Sequence, residues 1–136
     1  MEVFEKDGQT YAIVYRNDHW KEGLDFPTPD DMFIQAGCWQ YDSGKKLRAH
    51  KHKDYERSTM RTQELTYVKS GKMKVTIYTE EAEFLFDFEL VKGDFAIMVH
   101  GGHGYEILED KTQVLEVKNG PFISVEKDKD IFHEHN

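Results

Sequence analysis

The chain is short of cysteine, proline, helical periodicity and positive charge. Its single cysteine, Cys38, has no partner for an internal disulfide, so the fold must be held by packing. Three prolines among 136 residues leave no proline-rich linker. No stretch approaches the roughly 18 uninterrupted apolar residues of a membrane-spanning helix. The opening residues, Met1-Glu2-Val3-Phe4-Glu5-Lys6, lack the basic flank and apolar run of a secretory signal, so the expected compartment is the cytosol, with no membrane partner. Basic residues number 18 against 26 acidic ones, a formal charge of −8 that repels phosphate backbones and argues against nucleic acid as a partner. The one basic cluster, Lys45-Lys46-Leu47-Arg48-Ala49-His50-Lys51-His52-Lys53, reads either as a solvated strand edge or as a feature favouring an anionic ligand near a pocket mouth.

What is present is aromatic and β-rich. Nine Phe, seven Tyr and two Trp are spread through the chain, enough apolar surface to offset the entropy of folding. The length suits a single domain over 1–136, with an N-terminal strand extension over 1–32 and a charged tail over 126–136. Short alternating runs bounded by turn residues predict strands over 10–15, 33–41, 47–53, 64–69, 73–79, 83–90, 95–99, 105–108 and 113–118, with no helix. Ser70-Gly71-Lys72 closes a hairpin. In 83–90, Phe84, Phe86 and Phe88 share one face, the pattern of a strand with one buried side. The expected fold is all-β, a closed or nearly closed antiparallel barrel.

Four residues form a candidate metal site. His50 and His52 are two residues apart on a predicted strand, so both rings point to one face and can grip a single borderline cation. Glu64 opens the next strand as an anionic ligand. His103 lies in Gly101-Gly102-His103-Gly104, where glycine lets the backbone approach a ligand closely. Glu56 competes with Glu64, and His100 with His103. His133 and His135 repeat the His-x-His pattern, but in the charged tail, where they read as a terminal feature. His19 beside Trp20 reads as structural, and Cys38 as a small apolar residue. No nucleophile elbow or dinucleotide-binding spacing occurs, and Tyr55, Arg57 and Arg61 are as readily a solvated loop as contacts to an anionic substrate.

These residues resemble the cupin superfamily. Gly44, five residues, His50-Lys51-His52, then Glu64, six residues and Gly71 is similar to the first cupin motif. Gly93-Asp94, an apolar strand and Gly101-Gly102-His103 is similar to the second, and the likeness spans about residues 44–106. Eleven residues separate His52 from Glu64 where the family has three or four, which makes residues 54–61 an inserted loop. Val99 stands at the usual proline, and Ile107 at the usual asparagine. Phe26-Pro27-Thr28-Pro29-Asp30 and residues 115–121 are further similar to single-domain cupins associated with bacterial surface-sugar biosynthesis.

The resemblance implies a double-stranded β-helix jelly-roll barrel, a homodimer, and one divalent transition metal (Zn, Fe, Ni or Mn) on His50, His52, Glu64 and His103. The function it implies is a metal-dependent enzyme of isomerase or epimerase type acting on a small polar substrate, a sugar or sugar derivative. Tyr105, Glu106, Tyr67 and His100 are the candidate bases. A non-catalytic sugar-binding module and an Fe-dependent dioxygenase are the alternatives.

Overall fold

The computed structural model describes residues 1–132. The first hairpin joins β1 (Glu2–Lys6) to β2 (Gln9–Tyr15). Its two turn residues, Asp7 and Gly8, both have positive φ, which matches the turn to the twist of the strands. β3 (Gly23–Asp25) and β4 (Cys38–Gln40) pair as a small separate ribbon. The longer strands follow: β5 (Glu64–Ser70), β6 (Lys72–Tyr78) and β7 (Phe84–Val91). The last three are β8 (Phe95–Met98), β9 (Gly102–Ile107) and β10 (Gln113–Lys118). Gly71, between β5 and β6, has φ +86°, and a side chain there would run into the backbone of Thr112.

All strand pairs are antiparallel, in a five-stranded sheet ordered β1-β2-β8-β5-β10 and a three-stranded sheet ordered β7-β6-β9. Alternation assigns the faces. Ala12, Val14, Val68, Ala96 and Met98 of the larger sheet pack with Met73, Val75, Ile77, Phe88 and Leu90 of the smaller one. The opposite face of the larger sheet carries Tyr15, Phe95 and Ile97, covered by Trp20, Met32, Ile34, Ala36 and Cys38. The N-terminal residues are thus built into the main sheet through β2 and roof its outer face.

The fold is all-β in character, as expected, but the sheets do not close into a barrel. Among the described residues no strand of the five-stranded sheet pairs through its backbone with the three-stranded one, so β9 and β10 remain as edge strands. The expected strand over 47–53 does not form. Every residue from 41 to 62 is exposed and outside regular structure. The reason is chemical. Five Lys or Arg in 45–53 leave only Leu47 and Ala49 to bury, and a strand with no apolar face gains nothing by joining a sheet. The expected strand over 33–41 shrinks to β4, because Ile34 and Ala36 serve as roof over the sheet.

One short helix, α1 (Val125–Asp128), stands in the tail where none was expected. Ser124 caps it, its hydroxyl accepting from the Lys127 N–H at 3.3 Å. Among the described residues no helix is long and apolar enough to cross a membrane.

Candidate functional site

The polar end of the sandwich lies between β5, β9 and β10. In β5, residues 64, 66 and 68 are the buried alternates, which turns the Glu64 carboxyl inward with Thr66 and Val68. In β9, His103 and Tyr105 sit in register with Ile77 and Val75, so both rings face the same interior. On β10, Glu116 pairs with Thr66, and Lys118 with Glu64.

These placements converge on one carboxylate. The Tyr105 hydroxyl donates to Glu64 Oε1 at 2.6 Å, and His103 Nε2 lies 3.4 Å from Glu64 Oε2. The side chain of Glu64 is 6% exposed and that of His103 28%, so the carboxylate is sheltered while the imidazole reaches solvent. The two rings are 5.2 Å apart.

Electrostatics divides the roles. Burial pushes the Glu64 carboxyl up, but hydrogen bonds with His103, Glu116 and Tyr105 outweigh it and hold Glu64 down at about 2. Glu116 moves the other way, raised first by its hydrogen bond to Glu64 and then by burial. Burial, then the hydrogen bond to Glu64, raises the Tyr105 phenol, which stays protonated and acts as a donor.

A pH dependence follows from the Glu64 shift. A carboxyl depressed below its ordinary 4.5 contributes stability that is present above that value and lost as the pH falls towards 2. Glu116 runs in reverse, its penalty relieved on acidification. Urea midpoints at about pH 5 and about pH 2.5 are expected to differ more for the native chain than for Glu64→Gln. Equal losses would remove Glu64 from the acid limb.

The remaining expected residues are dispersed. His50 and His52 are exposed on the long loop, their rings 5.3 Å apart, with His50 Nδ1 3.0 Å from the Arg48 carbonyl. Glu56 is exposed in the same loop. His100 Nε2 faces Glu80 at 3.4 Å, and Arg61 holds that same carboxylate at 2.7 Å. Glu106 pairs with Lys74, and Tyr67 packs into the roof of the larger sheet. Of the four candidate bases, only Tyr105 touches Glu64. Arg57 stacks over the Tyr55 ring at 3.5 Å. His19 is structural as read, its Nδ1 accepting from the Arg16 N–H at 2.9 Å. His133 and His135 lie outside the described residues.

Glu116 escapes a reading of the sequence alone. Its signal is a charge between Leu115 and Val117, which becomes informative only once β10 is set in register with β5. A cavity of about 200 Å³ opens beside this end of the sandwich, lined among others by Arg61, Asn119, Phe122, Ser124 and Lys127.

Glu64 and His103 suit a divalent cation as a donor pair, an ionised carboxylate and an imidazole on one side of a sheltered space. The four-ligand set is not assembled. Among the described residues no three His, Cys, Asp or Glu side chains stand close enough to hold a metal ion. No family model, curated protein or solved structure matches the chain.

Proposed function

We propose that the chain is an enzyme of cupin-like, jelly-roll descent that moves a proton on a small polar molecule, a sugar or sugar derivative, in an isomerisation or epimerisation. The observation that carries the reading is the Tyr105–Glu64–His103 contact set. A buried, ionised carboxylate facing an imidazole orients the ring. With Nε2 turned to Glu64, His103 Nδ1 is the atom that takes the proton from a carbon beside a carbonyl. Tyr105, kept protonated, gives its one O–H to Glu64 and so holds the carboxylate beside the imidazole, and the proton taken up at His103 Nδ1 returns from there to the substrate. The neighbouring cavity offers hydroxyl-matching groups on Asn119 and Ser124 and an apolar ring in Phe122, a combination that suits a sugar. The test is deuterium wash-in from D₂O to ketoses, aldoses and their phosphorylated and nucleotide-linked derivatives, read by NMR.

A second reading keeps the metal, and the closeness of His103 to Glu64 favours it. His50, His52, Glu64 and His103 would hold one divalent ion once residues 41–63 fold inward. Such an ion would act as a Lewis acid on substrate oxygens. Elemental analysis of untagged protein decides. About one equivalent of a transition metal, lost in both His50→Ala and Glu64→Ala, establishes this reading, and metal-free protein with wash-in activity overturns it. The cupin resemblance further implies a homodimer in the cytosol, which light scattering would register as twice the 16.0 kDa chain.

A further inference from the structure

The gap between β9 and β10 is crossed by the chain's own C-terminal segment. Leaving β10, the backbone turns at Asn119-Gly120-Pro121 and runs through α1 to Phe132. It is fastened at two points. On the side of the larger sheet, Lys118 Nζ donates to Asp128 Oδ2 at 3.0 Å and lies 5.7 Å from the Phe122 ring. On the side of the smaller sheet, the Phe132 ring meets Tyr78 edge-on, centroids 5.8 Å apart, and lies directly against Gly102. A side chain at position 102 would occupy the space of that ring, so glycine here makes the seat for Phe132. The next residue in the chain is His103. Between the two fastenings Lys129 comes within electrostatic range of Glu116.

We propose that residues 122–132 are a strap over the Glu64–His103 end of the sandwich, and that its release admits molecules to those side chains. The fastenings explain both closure and release. α1 has no buried residue, and Phe122, Ile123, Val125 and Ile131 are all exposed, so almost no apolar burial holds the strap down. One ion pair and one aromatic seat keep it in place, a combination that opens locally without unfolding the sheets. The 200 Å³ cavity has the strap as one wall, through Phe122, Ser124 and Lys127, so release would enlarge that cavity and widen the opening to the half-buried imidazole. The functional meaning of the gate rests on the reading of Glu64 and His103 given above. The closure itself does not.

The test measures access to His103 without any substrate. Diethyl pyrocarbonate acylates accessible imidazoles, and peptide mass spectrometry reports each histidine separately. His50 and His52, exposed on their loop, serve as internal standards. Phe132→Ala, and its double variant with Asp128→Asn, are expected to raise the acylation rate of His103 roughly threefold or more against those standards. His19, held by Arg16 and Tyr15 away from both fastenings, is expected to keep its native rate. A His103 rate unchanged in both variants would overturn the strap, because neither fastening would then limit access. Equal acceleration at every histidine would also overturn it, as general loosening. Absence of turnover on every sugar would remove the enzymatic reading and leave this result standing.

Discussion

Replacing Asp94 with alanine is expected to remove about 3–5 kcal/mol of folding stability, seen as a large drop in the urea midpoint at unchanged slope. Asp94 is 3% exposed at its side chain and serves three donors. Oδ1 accepts from the Asn17 N–H at 2.9 Å, and Oδ2 from the Val91 N–H at 2.9 Å and Arg16 Nη1 at 3.1 Å. Alanine orphans two backbone N–H groups and leaves the partly buried Arg16 to Glu2, its other carboxylate partner. Asp94→Asn keeps one good acceptor oxygen at the site, so it is expected to lose roughly half as much. A change under about 1 kcal/mol in the alanine variant would show that water replaces these bonds at little cost.

Glu64→Gln is expected to lower turnover about 10²- to 10⁴-fold, with a smaller change in substrate affinity. Glutamine preserves the shape and can still accept from Tyr105. It lacks the charge that faces His103 and holds that ring ready for a proton. Steady-state rates on any substrate that shows wash-in would measure the loss. A variant with native turnover would move the chemistry elsewhere in the molecule.

Much of the sheet is legible because alternation reports burial. Residues 113–118 read as a strand and form β10 with those bounds, and the 64–69 and 73–79 pair with its glycine turn forms the β5–β6 hairpin. Local pattern fails where a segment's partners lie far along the chain. Lys92-Gly93-Asp94 reads as a plain turn, whereas Asp94 ties it to Arg16 and Asn17 across some 77 residues. His50 and His52 look strand-borne on spacing alone, but the cations around them leave no face to bury.

The site is legible in half. Glu64, His103 and Tyr105 stand out in the sequence and meet in the fold; Glu116 needs the register of β10, and the tail needs the position of Phe132 against Gly102. Neither is a local property of the sequence.

The most direct test of the central claim is the deuterium wash-in experiment, run on the native chain beside Glu64→Gln and Tyr105→Phe. Deuterium is expected at a carbon next to the carbonyl of at least one sugar with the native chain, with near-complete loss in both variants. Undiminished exchange in Glu64→Gln, or sugar binding at Tyr105 and His103 with no exchange at all, would contradict it, and the latter would make this sandwich a binding module.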